Sequence, residues 1–320
     1  MKRLTSLFAA ALLCAPLPAW AESLTFAWTP NPQTPQVDIA IEKGYFEEAG
    51  LDIEFVAFRT GREGFEAMLG GQVDITFMAE FPAAVGALTG QDFAVVADLA
   101  RFTGSRVIIN TESGAVASPA DLAGKKIGTT IGTNVNFYVD QILTSAGVEA
   151  EIVSAAPPDL VPAVARGDVD AIVPFPSFYA AAKTTLAENY GELRVPGYQV
   201  HYILSATPDM TGPRAAVLEA FMSALAKADA DVAADPAAAM AAVSKSMSGA
   251  ISTDDLATMW QDVDIGLKLD TELAELLVAE ADWILEQGVI KGDPVSLETM
   301  LTKFSGDALA SAAPDAVSLP

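Results

Sequence analysis

The sequence predicts an α/β protein built from two similar lobes, on the basis of a repeated phrase, an alternating pattern and the chain length. A helical pattern, Gly-x-Val-Asp and a short apolar run follow one another at 66–76 and again at 162–172. Glycine ends a helix in a left-handed conformation that other residues resist, and the apolar run is typical of a buried strand. The chain of 320 residues is long enough for two such domains. The simpler interpretation is that the phrase marks an ordinary helix-to-strand connection of an α/β protein.

The first lobe is predicted from four strands and the helices that connect them. Thr34 and Pro35 are typical of a helix start, because threonine caps the first turn and proline fits the first helical position. Strands are expected at 24–28, 51–58, 73–78 and 93–99, and helices at 34–49, at 61–69 and from Pro82. Strands and helices that alternate in this way form a mostly parallel sheet with both faces covered.

The second lobe is predicted to span 106–202 and to repeat this construction. Ser118-Pro119-Ala120-Asp121 resembles a capping box, with aspartate at the position where glutamate is usual. Two crossings between the lobes, near 104–106 and near His201 and Tyr202, then form a two-stranded hinge about which the lobes rotate as rigid bodies. Strands are expected at 125–129, 151–154 and 169–173, and a helix at 134–147. A further strand at 198–205 is expected to carry the chain back to the first lobe.

The C-terminal third of the chain is predicted to be helical and to complete the first lobe. From Pro213 onward apolar residues recur at helical spacing, and helices are expected at 215–234, 236–247 and 270–287. The first lobe is therefore discontinuous and is expected to comprise 22–105 and 203–308. Residues 309–320 are mostly small and show no pattern, which predicts a flexible tail.

Residues 1–21 have the pattern of a secretory signal peptide, which predicts an exported protein. A basic start precedes an apolar stretch at 7–17, and Ala19-Trp20-Ala21 is typical of a cleavage site. Leu13 precedes Cys14 where a lipoprotein signal usually has a small residue, so a lipid anchor is disfavoured. No later stretch is apolar enough to be expected to span a bilayer.

The composition argues against several classes of function. The formal net charge is −24, from 42 acidic and 18 basic residues, and such a surface repels nucleic acid. Cys14 is the one cysteine, so disulfides and cysteine-ligated metals are not expected. His201 is the one histidine, and neither a nucleophile motif nor further metal-ligating residues accompany it. The sequence predicts no catalysis, no metal and no cofactor, and it favours a structural or hinge role for His201.

Helix N-termini at the carboxyl ends of strands provide binding chemistry instead. They present unpaired N–H groups and partial positive charge, which suit an anion. Arg62 lies at one of them, and it either pairs with an anion or is a solvated arginine at a helix start. Trp28 is either a cleft wall that stacks on a flat ligand or a core residue. Such N-termini are expected at 30–34, 60–63, 79–82 and 132–136.

Several segments resemble the periplasmic substrate-binding proteins of ABC importers, in the group for nitrate, sulfonate, taurine and thiamine-precursor pyrimidines. The resemblance rests on Trp28-Thr29-Pro30-Asn31-Pro32-Gln33, on 41–53, on 121–128, on Gly132-Thr133-Asn134 and on both Gly-x-Val-Asp phrases. It implies a two-lobed type II periplasmic-binding-protein fold. It also implies a monomeric receptor that is not an enzyme, binds a small solute between the lobes and delivers it to a permease in the inner membrane.

The resemblance also implies where the ligand is bound. It places ligand loops at 28–31, 61–62, 80–81, 132–134 and 174–178, and the aromatic pattern adds Tyr202. The candidate ligand-binding residues are therefore Trp28, Asn31, Gly61, Arg62, Glu80, Phe81, Gly132, Thr133, Asn134, Phe175, Phe178 and Tyr202.

The identity of the ligand stays open at this point. Sulfonate-type relatives often carry Trp, an acid and Pro where this chain has Phe175-Pro176-Ser177, and the missing acid argues against an amine such as that of taurine. The phrase at 28–31 favours the pyrimidine branch, whereas 132–134 favours the sulfonate and nitrate branch. Two other classes remain as alternatives: an enzyme on the same fold, such as a pyrimidine synthase or a lyase, and a ligand-sensing subunit for a membrane kinase.

Overall fold

The computed structural model describes residues 21–288 and 290–320. Apart from Ala21, the predicted signal peptide and Cys14 lie outside the described residues. Within the described ranges, every helix is too short or too polar to cross a membrane.

The chain begins with four strands and four helices of the first lobe. Thr60 caps α3, and its hydroxyl oxygen accepts a hydrogen bond from the N–H of Glu63. The helix predicted at 34–49 is interrupted at Gly44, whose φ of 70° ends α1 and begins α2. These elements are β1 (Glu22–Ala27), α1 (Pro35–Lys43), α2 (Tyr45–Glu48), β2 (Leu51–Val56), α3 (Gly61–Leu69), β3 (Ile75–Ala79), α4 (Phe81–Leu88) and β4 (Ala94–Phe102).

The second lobe follows as one uninterrupted part of the chain. Its five strands form a sheet in the order β7-β6-β8-β5-β9. The predicted capping box is present, with Asp121 bonded to Ser118, although it opens a short 3₁₀ turn. The elements are β5 (Val107–Asn110), β6 (Lys126–Thr129), α5 (Asn134–Ala146), β7 (Glu151–Ser154), α6 (Pro157–Arg166), β8 (Ala171–Val173), α7 (Tyr179–Leu186) and β9 (Tyr190–Leu193).

The rest of the chain returns to the first lobe and completes its sheet. That sheet has seven strands in the order β12-β11-β4-β10-β3-β1-β2, so both halves of the chain contribute to it. The remaining elements are β10 (Val200–Ala206), α8 (Pro208–Thr211), α9 (Ala215–Ala234), α10 (Pro236–Ser246), α11 (Thr253–Met259), β11 (Val263–Asp270), α12 (Thr271–Glu286), α13 (Leu297–Leu301), α14 (Asp307–Ala312) and β12 (Val317–Ser318).

Both sheets are mixed, so the prediction of mostly parallel sheets is wrong, whereas the α/β class is confirmed. In the first sheet β10 lies between β3 and β4 and runs antiparallel to both. In the second sheet β5 lies between β8 and β9 and is antiparallel to both. Each of these strands arrives directly from the other lobe without a helical crossover. It therefore enters its sheet from the opposite end and pairs antiparallel.

The two lobes are joined by two chain segments, at 103–106 and at 194–199. The first links β4 to β5, and the second links β9 to β10. The return crossing was expected near His201 and Tyr202, but both residues belong to β10 and pair with β4 in the first sheet. The boundary of the second lobe therefore lies before residue 200. The strand expected at 198–205 does carry the chain back to the first lobe, but it lies wholly in the first sheet, so the crossing comes before it.

The C-terminal part departs furthest from the prediction. The C-terminal third was expected to be helical, but residues 263–270 form strand β11, which pairs with β4. The predicted tail at 309–320 is also wrong, because Leu309 is fully buried and β12 pairs with β11. β11 can form because β4 has a free edge on the side away from β10, and β11 in turn offers its own edge to β12.

The core of the first lobe forms where helices cover the sheet. Phe26 of β1 is fully buried and meets Phe221 of α9 edge to face, with ring centroids 5.2 Å apart. A small separate cluster, formed by Val243, Ile251 and Leu256, holds α10 and α11 together. The end of α10 is thereby positioned beside the interface between the lobes.

Candidate ligand-binding cleft

A cleft of about 370 Å³ lies between the two lobes at the carboxyl ends of β1, β3 and β8. Ligands bind at this end of the strands in α/β proteins, and cavities of this size hold small molecules. The first lobe contributes Ala27, Trp28, Thr29, Pro30, Asn31, Phe58, Arg59, Thr60, Gly61, Gly64, Phe77, Met78, Ala79, Tyr202 and Met247. The second lobe contributes Asn134, Phe175, Pro176, Ser177 and Phe178.

Aromatic rings from three strands form the wall on the side of the first lobe. Trp28, directly after β1, meets Phe77 of β3 edge to face at 4.7 Å between ring centroids. Phe77 in turn stacks on Tyr202 of β10 at 6.0 Å. Burial raises the pKa of Tyr202 well above its ordinary value, so its hydroxyl group stays neutral and able to donate. Trp28 therefore both lines the cleft and packs in the core, which combines the two interpretations of its role.

The loop after β1 is held rigidly. The side-chain oxygen of Asn31 accepts a hydrogen bond from the N–H of Gln33 at 2.9 Å, which fixes a local turn. The indole N–H of Trp260 donates to the carbonyl oxygen of Pro32 at 2.7 Å. Asn31 thus lines the cleft from a loop that is tied to the C-terminal part of the chain.

The N-terminus of α3 faces the cleft beside this loop. A Cβ atom on Gly61 would lie 2.6 Å from the Cβ of Met78, so only glycine lets α3 approach β3 this closely. The hydroxyl oxygen of Thr60 accepts from the N–H of Glu63 at 3.1 Å. The N–H groups of Gly61 and Arg62 have no partner within the helix, as is general for a first turn. This end of α3 is therefore suited to accept an anionic or carbonyl oxygen.

The second lobe presents the N-terminus of α5 from the opposite side. Asn134 is 3% exposed, and its side-chain oxygen has no hydrogen-bond partner among the described residues. Phe175 and Phe178 flank a short 3₁₀ turn after β8 and line the same side. Two helix N-termini therefore converge on the cleft from opposite lobes.

Arg62 lies at the mouth of the cleft and is not among its lining residues. Its side chain is half-exposed, with Nε 3.6 Å from the carboxylate of Glu66. It also reaches across to the second lobe, because a Cβ atom on Gly132 would lie 2.7 Å from Nη1 of Arg62. Arg59 is the arginine that lines the cleft. The sequence singled out the right helix start but not which side chain lines the cleft.

Four further candidates do not line the cleft. Gly132 faces Arg62 of the other lobe, and the hydroxyl of Thr133 donates to the carbonyl oxygen of Thr130 at 2.7 Å. Glu80 is fully buried, and its carboxyl group faces the core. Phe81 is buried between the lobes, with its ring centroid 5.7 Å from that of Trp283. Glu80 and Phe81 follow the end of β3, as expected for cleft residues, but the start of α4 directs both side chains inward.

Sequence reasoning missed several lining residues. Phe58 was not singled out, although it lies just before the helix N-terminus expected at 60–63. Thr60 belongs to that expected N-terminus, and Arg59 was a weaker candidate than Arg62 for pairing with an anion. Met247 carried no signal, because it comes from the end of α10, far away in the chain.

His201 lies in the first lobe beside the cleft, on the face of β10 opposite to Tyr202. Its Nδ1 atom is 2.7 Å from the carboxylate of Asp98 in β4. Burial alone lowers the pKa of His201, but the hydrogen bond and the charge of Asp98 outweigh this and raise it. The described part of the chain has no group of three His, Cys, Asp or Glu side chains that could hold a metal ion.

Two lobes joined by two crossings, with a cleft between them, define the periplasmic-binding-protein class of fold. The sequence profile of the family described as NMT1/THI5 like matches residues 31–239, and the chain belongs to this family. The resemblance inferred from the cleft loops is thereby confirmed.

Relatives of known name support the same assignment. The taurine-binding periplasmic protein of Escherichia coli is 25% identical over 164 residues, which cover 50% of each chain. The putative aliphatic sulfonates-binding protein of Bacillus subtilis is 29% identical over 143 residues, which cover 42% of each. The match thus spans about half the length of these relatives.

Solved structures show the same fold at low sequence identity. The alkanesulfonate-binding protein of Xanthomonas axonopodis bound to MOPS superposes with a TM-score of 0.73 at 18% identity, over 91% of this chain and 100% of that one. The aliphatic sulphonate binding protein of Escherichia coli gives 0.72 at 19% identity, over 87% and 91%. The enzyme DSZB, bound to biphenyl-2-sulfinic acid, gives 0.67 at 14% identity, over 92% and 99%.

Proposed function

We propose that this protein is the periplasmic solute receptor of an ABC importer. The observation that carries the proposal is the cleft between two lobes that are joined by two chain segments, with a helix N-terminus at the cleft on each side. Closing the lobes on a solute would order these donors around it, and the permease would receive the closed form. One copy of the chain supplies every lining residue, so a monomer suffices. The names of the relatives, which are binding proteins, support the same function.

The ligand that fits the cleft best is a small organic anion of the sulfonate type. The first turns of α3 and α5 offer N–H donors and partial positive charge to an acidic head group. Arg59 adds a full charge at the cleft, and Arg62 adds another at its mouth. The aromatic wall around Trp28 would cover the apolar part of such a ligand.

A neutral pyrimidine is the second candidate, and the aromatic wall favours it. Trp28, Phe77 and Tyr202 form a continuous run of rings along one side of the cleft. A flat heteroaromatic ring can stack on such a wall, and its nitrogen and oxygen atoms can accept from the helix N-termini.

A receptor also fits better than an enzyme. DSZB shows that catalysis occurs on this fold, but the side chains that line the cleft within the described residues include no His, Cys or Lys. Hydroxyl groups such as that of Ser177 do line the cleft, but a serine or threonine nucleophile needs a neighbouring base, which is most often histidine. His201 is paired with Asp98 in the interior instead.

A thermal-shift screen tests the proposal. The panel should contain ethanesulfonate, longer alkanesulfonates, taurine, nitrate and aminopyrimidines, with sodium chloride as the control for ionic strength. A ligand at about 100 times its dissociation constant should stabilise the protein by about 2.7 kcal/mol. If every member of the panel leaves the melting temperature unchanged, the proposed ligand classes are wrong.

A further inference from the structure

Two carboxyl groups, those of Glu80 and Glu280, face each other in the interior of the first lobe. Both residues are fully buried. Glu80 lies between β3 and α4, directly after the cleft residue Ala79, and Glu280 lies in the middle of α12. One carboxyl oxygen of Glu80 accepts from the N–H of His201 at 2.9 Å, and the other accepts from the hydroxyl of Tyr198. Neither oxygen of Glu280 has a donor among the described residues.

This arrangement retains a proton. A buried carboxylate without a donor is costly, and two adjacent carboxylates repel each other. Burial raises the pKa of Glu80 and, together with the neighbouring charge of Glu80, that of Glu280. The pair therefore keeps a shared proton to higher pH than an ordinary carboxyl group does.

Few ionisable groups face the pair. Tyr198 approaches from the return crossing, and Tyr202 and His201 approach from β10. The ring of His201 is paired with Asp98 of β4. Arg101 lies 3.5 Å from Asp98 and interacts with β11, so it does not neutralise the pair directly.

Tyr198 connects this pair to both lobes. Its hydroxyl group donates to Glu80 in the first lobe. Its ring stacks on Tyr138 of α5 at 5.8 Å and meets Phe137 edge to face at 5.3 Å, both in the second lobe. The hydroxyl of Tyr138 in turn donates to the carbonyl oxygen of Ser105, in the other crossing, at 2.9 Å. The carboxyl pair is thus attached to the hinge itself.

Phe137 shields the pair from the side of the second lobe. Its ring centroid lies 5.9 Å from that of Phe81, which follows Glu80, and 5.2 Å from that of Trp283, one turn after Glu280. If the second lobe rotates away, Phe137 leaves this group of rings. Water then gains access to the carboxyl groups, and their pKa values return toward the ordinary range.

We propose that closure of the cleft is coupled to a proton held between Glu80 and Glu280, so that the closed form retains the proton and the open form releases it. This inference rests on the proposed function and concerns the regulation of the same site. The closed form binds more protons than the open form. Linkage therefore requires that closure, and with it ligand affinity, weakens as pH rises through the values at which the closed pair titrates.

The proton and the opening can be tested without any ligand. Infrared spectra at neutral pH should show the carbonyl band of a protonated carboxyl group that Glu280→Gln removes. X-ray scattering should show the unliganded protein becoming larger between about pH 5 and about pH 9 as closure weakens. Glu280→Gln should abolish this change, because an amide cannot release a proton. The matched control is Glu275→Gln, an exposed residue on the same helix, which should behave as the wild type.

The ligand arm uses ethanesulfonate and isothermal titration calorimetry. The dissociation constant of the wild type should rise by up to about tenfold per pH unit between the pKa of the pair in the open form and its raised pKa in the closed form, and then level off. That of Glu280→Gln should change less than about twofold over the same range. Tyr198→Phe keeps the ring but removes the hydroxyl, and it should reduce the pH dependence even if Glu280→Gln fails to fold.

The outcomes separate the two proposals. Absence of ethanesulfonate binding contradicts the sulfonate assignment alone, because the infrared and scattering measurements need no ligand. A wild type without the carboxyl band or without a pH-dependent size overturns the proton-linked hinge. An unchanged pH profile in both Glu280→Gln and Tyr198→Phe overturns it as well.

Discussion

Asp38 is a buried acid that opposes the stability of the first lobe at neutral pH. It lies in α1 with 4% of its surface exposed, and one carboxyl oxygen has no partner within the described residues. Burial raises its pKa from 3.8 to about 7, although a hydrogen bond with Ser246 acts in the opposite direction. Between these pH values the folded chain holds a proton that the unfolded chain has lost. The free energy of unfolding therefore falls as pH rises from about 4 to about 7.

Asp38→Asn should remove this penalty. A difference of about three pKa units corresponds to at most about 4 kcal/mol, so the variant should exceed the wild type in unfolding free energy by about 2–4 kcal/mol at pH 8. At about pH 4 the two proteins should be nearly equal, because the acid is then protonated in both states. Urea unfolding at the two pH values measures the difference. Asp52→Asn, at an exposed position of β2, should not show this pattern.

Gly132 is favoured by its backbone conformation and also lies against Arg62, and these two effects can be separated. Its φ of 75° favours glycine, and Arg62 of the opposite lobe occupies the space of a side chain. Gly147 has a comparable φ of 65° at the end of α5 but open space around it. The two glycines thus differ in their contact with the other lobe and share the same backbone requirement.

Gly132→Ala should therefore impair closure, whereas Gly147→Ala should not. Both variants should lose about 1 kcal/mol of unfolding free energy from backbone strain. In addition, Gly132→Ala should weaken the affinity for a ligand identified in the screen by about two- to threefold, because the methyl group displaces the flexible end of Arg62 as the lobes approach. Calorimetric titration of both variants measures this difference. Equal affinities would show that Arg62 moves aside at no cost.

At the scale of elements, the last two strands of the first sheet, β11 and β12, decide how the chain ends. Val263, Ile265, Leu267 and Leu269 alternate with polar or small residues, a period of two that is typical of a strand. This alternation can be recognised in the sequence, but it is short and lies next to strongly helical segments, so it did not lead to a strand prediction. The two residues of β12 have no local signal at all. Their pairing depends on β11, which is a tertiary contact.

The C-terminal segment should contribute to stability. Leu309 of α14 is fully buried, whereas Leu297 of α13 is 36% exposed. Leu309→Ala should lower the free energy of unfolding by about 2–4 kcal/mol, because it removes buried methyl groups and leaves a cavity. Leu297→Ala should change it by less than about 1 kcal/mol. Chemical denaturation of both variants tests this, and an unaffected Leu309→Ala would restore the prediction of a loose tail.

At the scale of the whole molecule, the charge of the protein acts against its proposed ligand. The formal net charge is −24, so an approaching anion is repelled until it reaches the local positive potential of Arg59 and the helix N-termini. Added salt shortens the range of both fields, with a screening length of about 10 Å at 0.1 M. Salt therefore weakens the long-range repulsion by the surface carboxylates more than the short-range attraction by Arg59 and the helix N-termini.

The association rate of an alkanesulfonate should therefore rise with salt. Between low and moderate sodium chloride concentrations we expect an increase of about two- to tenfold in the association rate constant, measured by stopped-flow tryptophan fluorescence. A neutral aminopyrimidine should show no such increase. A rate that falls with salt for the sulfonate would mean that local attraction dominates the approach.

The sequence by itself determined what depends on neighbours along the chain. The glycines at 71 and 167 adopt φ values of 70° and 78°, as the two Gly-x-Val-Asp phrases predicted. The sequence also indicates the helix start at Thr60 and the loops that bring Trp28, Asn31 and Asn134 to the cleft. Strand ends and helix starts are local features, so neighbouring residues specify them.

Only the tertiary structure decided the rest. Three features depend on groups that are distant in the chain. They are the direction of β10, the burial of Glu80 against Glu280 and the position of Arg62 across from Gly132. Local sequence specifies backbone conformation because its constraints act between adjacent residues. It does not specify the partner of a side chain, because that partner is chosen by how the two lobes and the C-terminal strands pack together.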